Sequence, residues 1–509
     1  MSHSKLSYNG KGYAVYTDGT GKVNLDDTEI NLRGSSTAFD VDLGAATLPT
    51  ILDTNTRINV KSDDVIAFNL KRATGLTTVG GIVTDTTNGI LKKIEDKLGL
   101  GANSLTNLFV GSTATKYKVA AVDGGTITIG NLDKSGVSTD TVADKKEGYE
   151  YYNRFLAQRL VATTAPNSTI KAVLTTTDAT ARYNGQVTGF EMNSSKLATT
   201  NAETGINLVQ SKIIADRNGA GDGAVGAFIN YGKVSVDNKS SIEVETQTGN
   251  NANDKAVGVY AVNGSEVSNA GTIKVGGKQS VGILGMAYRL DAKNKLVVDE
   301  FGSKAAGQGK VTITNTKDIT MTGENSIGIY ANNNKTGSAV TNHIVTNSGT
   351  ITVGKSSGAS TAVAIYADKV TVKPENGTLK IAEGAVGVYA TPKTIVGEVN
   401  KNLGTIHFTG KNAVGIYLKG TTADGDSILR GNKLTLKEDK GTTTGKIGIF
   451  YDLQNAQTSN IEIDAANANN VIAYYTKNKD LTVKAPITLG QGSVGMTGTT
   501  IKNFLVMIL

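Results

Sequence analysis

Few residues of this sequence are of the types that carry catalytic chemistry. Histidine occurs three times, as His3, His343 and His407, and cysteine does not occur. A thiol nucleophile, a cysteine-ligated zinc or iron–sulfur site and a disulfide framework are therefore excluded. His407 alternates with Ile406 and Phe408, so a strand here would turn its imidazole to solvent. With no histidine pair and no Gly-x-Ser-x-Gly elbow, we expect no catalytic residue, no metal site and no cofactor.

Two glycine-rich segments match the Gly-x-Gly-x-x-Gly pattern of dinucleotide-binding loops. They are Gly221-Asp-Gly-Ala-Val-Gly226 and Gly490-Gln-Gly-Ser-Val-Gly495. That pattern binds a pyrophosphate where it opens a helix, and neither segment opens a predicted helix. Asp-containing segments at 218–223 and 424–426 lack the tandem nonapeptides of calcium-binding β-rolls. We interpret all four segments as turns.

Aromatic residues recur at one position of a short block that repeats along the second half of the chain. Stacked copies of the block would align these side chains into an aromatic ladder. The ladder would either brace the strands in register or form a stripe that binds a glycan or a protein. The members of this predicted ladder are Tyr260, Tyr330, Tyr366, Tyr389, Tyr417, Phe450 and Tyr474.

The block that carries the ladder, the Val-Gly-Val-Tyr block, recurs at steps of 22 to 46 residues. Its clearest copies are Ala256-Val-Gly-Val-Tyr-Ala261, Ser326-Ile-Gly-Ile-Tyr-Ala331 and Ala385-Val-Gly-Val-Tyr-Ala390. A second block, the Gly-Thr-Ile block, precedes many of these copies. Examples are Gly271-Thr-Ile-Lys-Val275, Gly349-Thr-Ile-Thr-Val353 and Gly404-Thr-Ile-His-Phe408. Self-similarity of this kind is typical of repeat architectures.

Each block predicts a short strand with one apolar face. In the first clear copy, alternation places Val257, Val259 and Ala261 on one face and Gly258 and Tyr260 on the other. One repeat cannot bury such a face alone, but stacked repeats can. We therefore expect an all-β protein, a right-handed parallel β-helix with Gly, Asn and Asp at its corners. A twisted β-sandwich is the structural alternative, although it does not need one block to recur at coil-like spacing.

Residues before about 220 are less regular. Apolar residues at 90–98 and at 149–160 recur with helical periodicity. Between them, Gly125-Thr-Ile-Thr-Ile129 matches the Gly-Thr-Ile block. The segment Tyr8–Tyr16 is similar to a diverged Val-Gly-Val-Tyr block. Further short strands are predicted at 23–25, 29–32 and 57–60.

These patterns set the expected domain organisation. We predict N-terminal β-helix coils over 1–72 and irregular coils with a small helical insertion over 73–165. Regular parallel β-helix repeats then follow over 166–509.

Charge and hydropathy narrow the possible partners. Lys and Arg number 52 and Asp and Glu 45, which gives a net charge of +7. The charges are dispersed and mostly Lys, without the dense Arg-containing stripe of a nucleic-acid interface, so no nucleic acid is expected. The first residues lack the apolar region of a signal peptide. No apolar run is long enough for a transmembrane helix, and the apolar end at 501–509 is also too short.

The tandem blocks with their Asn-rich turns resemble the passenger regions of the large fusobacterial autotransporter adhesins. The early Gly12-Tyr-Ala-Val-Tyr16 and Gly34-Ser-Ser-Thr-Ala-Phe39 are also similar to that family. The resemblance covers nearly the whole chain and is most specific from about 220 to 500. It implies type V secretion, display at the cell surface on the outer membrane, and attachment to host cells or other bacteria through a glycan or protein receptor.

The sequence departs from that family in two respects. It lacks the signal peptide, and it lacks the C-terminal membrane barrel through which a passenger is attached to the membrane. Because the repeat is still in full pattern at Gly495, we expect a passenger fragment or a truncated reading frame. The functional hypothesis is an elongated adhesin or structural stalk that is not an enzyme. A β-helical polysaccharide-degrading enzyme and a trimeric autotransporter-type adhesin head are the alternatives.

Overall fold

The computed structural model is dominated by short parallel strands. It describes residues 1–9, 12–17, 28–33, 36–42, 57–60, 66–71, 117–120, 126–129, 160–163, 169–173, 188–193, 205–217, 222–230, 232–246, 254–288, 309–334, 339–439, 444–477 and 479–498. Within these ranges the one helical element is a 3-10 turn at Val340–Asn342. No helix among the described residues has the length and hydropathy needed to cross a membrane.

The chain forms two compact units. The first comprises residues 1–253, 259–266 and 289–308. Its strands are β1 (Lys5–Asn9), β2 (Gly12–Thr17), β3 (Glu29–Arg33), β4 (Ser36–Asp42), β5 (Arg57–Val60), β6 (Ile66–Lys71), β7 (Tyr117–Ala120), β8 (Thr126–Ile129), β9 (Leu160–Thr163), β10 (Thr169–Val173), β11 (Thr188–Asn193), β12 (Gly205–Leu208), β13 (Lys212–Asp216), β14 (Val225–Asn230), β15 (Lys233–Val236) and β16 (Ser241–Val244).

The second unit comprises residues 254–258, 267–288 and 309–509. Two strands contribute residues to both units, β17 (Val257–Val262) and β18 (Glu266–Asn269). The other strands of the second unit are β19 (Thr272–Val275), β20 (Val281–Met286), β21 (Thr312–Asn315), β22 (Ile319–Met321), β23 (Ile327–Asn332), β24 (Ile344–Asn347), β25 (Thr350–Val353), β26 (Val363–Asp368), β27 (Thr371–Lys373), β28 (Thr378–Ile381), β29 (Val386–Ala390), β30 (Ile395–Val396), β31 (Thr405–Phe408), β32 (Val414–Thr421), β33 (Gly425–Asp426), β34 (Ile428–Leu429), β35 (Lys433–Glu438), β36 (Lys446–Asp452), β37 (Gln457–Ser459), β38 (Glu462–Asn467), β39 (Val471–Thr476), β40 (Leu481–Val483), β41 (Ile487–Leu489) and β42 (Val494–Gly498).

The second unit is a parallel β-helix, which confirms the predicted fold class. The Gly-Thr-Ile blocks form one sheet, in the order β19-β22-β25-β28-β31-β35-β38-β41. The Val-Gly-Val-Tyr blocks form another, the tyrosine sheet, in the order β20-β23-β26-β29-β32-β36-β39-β42. A third sheet runs β21-β24-β27-β30-β34, and β37 pairs with β40 apart from it. The one antiparallel pair of named strands in the described chain joins β32 to β33.

The first unit repeats the same parallel pairing. Its strands pair in the orders β8-β10-β13-β16, β7-β9-β12-β15 and β11-β14, and two three-stranded sheets run β1-β3-β5 and β2-β4-β6. The strands predicted at 29–32 and 57–60 are confirmed, and residues 126–129 of the Gly-Thr-Ile block at 125–129 form β8. Ile127 lies beside Ile170 in the adjacent strand, as a stacked repeat requires.

The core of the second unit consists of aliphatic side chains stacked coil upon coil. Ile273 is in register with Ile319, Ile319 with Ile351, and Ile351 with Leu379. All four side chains are buried. Burial of one such side chain contributes about 1.5–3 kcal/mol, and stacking allows every coil to bury its own.

The strict alternation predicted for the Val-Gly-Val-Tyr block is wrong at its glycine. A Cβ built on Gly258 would lie 2.8 Å from Ile273 Cγ2 and 3.1 Å from Val275 Cγ2, so this position faces the core. The register skips the corresponding Gly in β20–β23 pairing. Glycine is required because the backbone approaches the opposite sheet too closely for a side chain.

The coil corner before most Val-Gly-Val-Tyr blocks has a left-handed backbone. Asn325, Gly384, Asn412 and Asn470 have φ values of 56°, 68°, 55° and 51°. Gly and Asn adopt this conformation at the lowest cost, so the prediction of Gly and Asn is confirmed at these four corners. At two equivalent corners the left-handed residue is Lys255 or Gln279, and no Asp among the described residues has a left-handed backbone. Several predicted elements lie outside the described residues: the helix at 90–98, all but the last residue of the helix at 149–160, the strand at 23–25 and the segment 501–509. Leu160, the last residue of that second predicted helix, instead begins β9. The helical insertion and the domain boundaries stay predictions.

Candidate functional site

Five members of the predicted aromatic ladder stack directly on one another. Tyr330, Tyr366, Tyr389, Tyr417 and Phe450 occupy the same register position in β23, β26, β29, β32 and β36. Successive ring centroids lie 4.9, 5.4, 4.9 and 4.8 Å apart. The three tyrosine–tyrosine pairs are within 5° of parallel. The strand spacing of about 4.8 Å sets the ring spacing.

Tyr474 does not belong to the ladder, so this part of the prediction is wrong. Tyr474 is in register with the core residue Ile449 and is itself fully buried. Its neighbour Tyr475 is in register with Phe450, and their ring centroids lie 4.6 Å apart. The block at 471–475 has two adjacent tyrosines, and counting from its central Ala473 assigns the ladder position to the second.

Tyr260 belongs to a separate aromatic contact in the first unit. Its ring meets the ring of Phe228 edge to face at a centroid distance of 5.2 Å. In the second unit, the residue in register with Tyr330 on the preceding strand is Leu284. The ladder of the second unit therefore runs from Tyr330 to Tyr475.

Ring stacking determines what the ladder can bind. Each inner ring has a neighbour on both faces, so the faces that would stack on a sugar are already covered. The side chains are partly exposed, and what reaches solvent is ring edges and hydroxyl groups. This geometry suits a brace between coils better than a sugar-stacking platform.

The hydroxyl groups along the ladder are in a polar environment at several points. The Tyr417 hydroxyl donates to Asp452 Oδ2 at 2.7 Å, and Asn332 Nδ2 donates to the Tyr330 hydroxyl at 3.2 Å. Burial raises the pKa of Tyr366 to about 12, assisted by the neighbouring Tyr330 hydroxyl and Asp368. These tyrosines therefore remain neutral near neutral pH.

A second ladder, which sequence analysis missed, lies in the core. Asn269 Nδ2 donates to Asn315 Oδ1 at 2.7 Å, and Asn315 Nδ2 donates to Asn347 Oδ1 at the same distance. All three side chains are buried. A sequence signal exists, because Asn269 and Asn347 each stand two residues before a Gly-Thr-Ile block. Stacked amides satisfy one another where aliphatic side chains would not.

The histidines predicted to be non-catalytic lie in two different environments. His407 is on the outward side of β31, as predicted, with its Nε2 2.7 Å from Asp439 Oδ1. His343 is buried, and its Nδ1 accepts a hydrogen bond from the Val311 N–H at 3.2 Å.

One cluster of outward charges on the Gly-Thr-Ile sheet is paired. Lys433 Nζ lies 2.9 Å from both Glu462 Oε1 and Asp464 Oδ2. The hydrogen bond from Lys433 lowers the pKa of Asp464. Among the described residues, no group of three or more His, Asp or Glu side chains is arranged to hold a metal ion.

Similarity to known proteins adds nothing to this description: no family model, curated protein or solved structure matches the chain.

Proposed function

We propose that this chain is a passenger segment of a bacterial cell-surface autotransporter and acts as an elongated adhesin or structural stalk. The observation that carries the proposal is the continuous lateral register of the tyrosine sheet from β20 to β42. Eight strands in this sheet, at about 4.8 Å each, span roughly 34 Å. A stalk requires stiffness and reach, and stacked coils supply both.

The paired charges favour this proposal over a polysaccharide-degrading enzyme. A general acid for glycoside cleavage needs a carboxyl group with a raised pKa. The pKa of Asp464 is lowered instead, because Lys433 stabilises its charged form. His407 is likewise held beside Asp439 on an outward strand face. Both contacts link side chains of neighbouring coils, as structural contacts do.

Attachment of the full chain to cells tests the proposal. Beads coated with the purified chain should bind a panel of epithelial and bacterial cells in a saturable manner, and free chain should compete. Beads coated with heat-denatured chain are the control. Attachment no greater than that control would contradict an adhesin, and release of reducing sugar from polysaccharides would favour the enzyme. Sedimentation of the full chain should give a monomer, whereas a trimer would favour the trimeric adhesin head.

A further inference from the structure

One of the three sheets of the second unit is interrupted while the other two continue. β31 pairs with β35 and β32 pairs with β36, so these neighbouring coils are in direct register on two sides. On the third side, the sheet ends at β34, and β37 pairs with β40 in a sheet of its own. The coils therefore separate at this side between β34 and β37.

Bulky core side chains account for the separation. The block position that holds Ala367 and Ala390 in earlier coils holds Leu418 and then Tyr451. Tyr451 is buried. The next coil adds a second buried ring, that of Tyr474, whose centroid lies 6.4 Å from the centroid of the Tyr451 ring. Two tyrosine rings need more interior volume than alanine methyl groups, so β37 cannot approach β34 closely enough to pair.

The separated coils leave a cavity of about 300 Å³ between them. Its floor is apolar and is formed by Leu418, Tyr451, Leu453 and Ile461, all of which are buried. Its rim carries the amide side chains of Asn400, Asn432, Gln457 and Asn460. A small apolar-floored cavity with a few convergent polar groups has the character of a small-molecule site.

Ser427 and Arg430 also line the cavity. Ser427 is 3% exposed, and its Oγ has no hydrogen-bond partner in the described part of the chain. That Oγ atom is itself closed to solvent, so a ligand in the cavity does not reach it. Arg430 is the one charged residue among the described residues that line the cavity, and it is exposed at the rim. Glu398, which lines an adjacent cavity with Arg430, is paired with Lys373 at 2.8 Å.

From this chemistry we propose that the cavity binds the carboxylate-bearing sugar of an acidic glycan, a uronic acid. The Arg430 guanidinium pairs with the sugar carboxylate. The rim amides form hydrogen bonds with the sugar hydroxyls, and the apolar floor lies against the apolar face of the ring. The inference rests on the proposed adhesin function in that it names the class of partner, and it places the contact away from the aromatic ladder.

Calorimetric titration of the full chain with sodium glucuronate and with glucose tests this site. Glucuronate should bind saturably, and glucose about tenfold more weakly because it lacks the carboxylate. Arg430→Gln should weaken glucuronate binding about tenfold and leave glucose binding unchanged. Lys274→Gln is the matched control, because it removes one exposed positive charge from β19 and should bind as the unaltered chain does.

Two further results make the test decisive. Ser427→Ala removes the enclosed hydroxyl at nearly constant volume and should leave the binding of both sugars unchanged. No saturable glucuronate binding by the unaltered chain, or equal binding by Arg430→Gln, would overturn the site. Cell attachment that persists in Arg430→Gln while no sugar binds would leave the adhesin proposal standing alone. Sugar binding without cell attachment would do the reverse.

Discussion

The carboxyl group of Glu324 joins side chains from neighbouring coils. Its oxygens lie 3.0 Å from Lys355 Nζ, 3.5 Å from Lys278 Nζ and 3.0 Å from Ser357 Oγ. The hydrogen bonds from Lys355 and Ser357 lower the pKa of Glu324 from 4.5 to about 2. At this scale, one charged residue connects successive corners of the β-helix.

Acid titration checks this contact. Because the folded pKa lies below the unfolded value, the contribution of Glu324 to stability is present above pH 4.5 and is lost as the pH falls toward about 2. Carbon-detected NMR of the full chain should show the Glu324 carboxyl titrating near pH 2. Lys355→Gln should move that midpoint upward. A midpoint near 4.5 in the unaltered chain would contradict the contact.

Loss of the buried ion pair of Lys446 and Glu438 should have a large effect on stability. The Lys446 side chain is fully buried and the Glu438 side chain is 10% exposed. Lys446→Ala should destabilise the chain by about 3–5 kcal/mol, because it removes the buried ammonium group that pairs with the Glu438 carboxylate. The matched control is Lys393→Ala, which breaks the exposed pair with Asp424 and should cost less than about 1 kcal/mol. Equal urea midpoints for the two variants would refute the assignment.

At the scale of the element, substitutions in the aromatic ladder test whether it braces neighbouring coils. Tyr389 stacks on Tyr366 at 5.4 Å and on Tyr417 at 4.9 Å. Tyr389→Ala removes both contacts and should cost about 2–4 kcal/mol in urea-induced unfolding. Tyr389→Phe keeps the ring and should stay within about 0.5 kcal/mol of the unaltered chain. A Tyr389→Ala chain of unaltered stability, with reduced cell attachment, would show that the ladder binds rather than braces.

Two substitutions in the asparagine ladder should differ in their cost to stability. Asn315→Ala leaves both Asn269 Nδ2 and Asn347 Oδ1 without their partner, and should cost about 3 kcal/mol. Asn269→Ala is the control, because it breaks one inter-coil bond and removes an Oδ1 that has no partner in the described chain. Its cost should be clearly smaller. The reverse order of urea midpoints would argue against a hydrogen-bonded ladder.

Structure that follows from the repeated sequence pattern was predictable. Structure that depends on the space left between packed side chains was not. The recurring Ile273 and Val275 pattern predicts a buried strand face because alternation is local. The inward turn of Gly258 was missed, since it depends on how closely the opposite strand approaches. Tyr474 is in register with the core residue Ile449, and Tyr475 with the ladder residue Phe450. Because the two side chains are chemically identical, only their position in the repeat distinguishes them. The cavity beside Ser427 was not predictable, because it results from the packing of large residues in adjacent coils.

At the scale of the whole molecule, each coil of the second unit contacts mainly its neighbours, so coils should be removable as units. Deleting residues 363–385 takes out β26, β27 and β28 and joins Ala362 to Val386. The register then brings Tyr389 onto Tyr330, and the shortened chain should keep its β-sheet circular dichroism and cooperative unfolding. Deleting 363–373 removes part of a coil and should destroy that behaviour. Similar unfolding of the two chains would contradict coil-by-coil packing.

The interruption between β34 and β37 also has a mechanical consequence. Hydrogen bonds between coils run along the stacking axis, so tension along that axis loads all the sheets together. At the interruption two sheets carry the load of three, and the coils can part on one side while they stay joined on the others. Under a pulling force, this is the point in the second unit where the stack should bend and begin to give way.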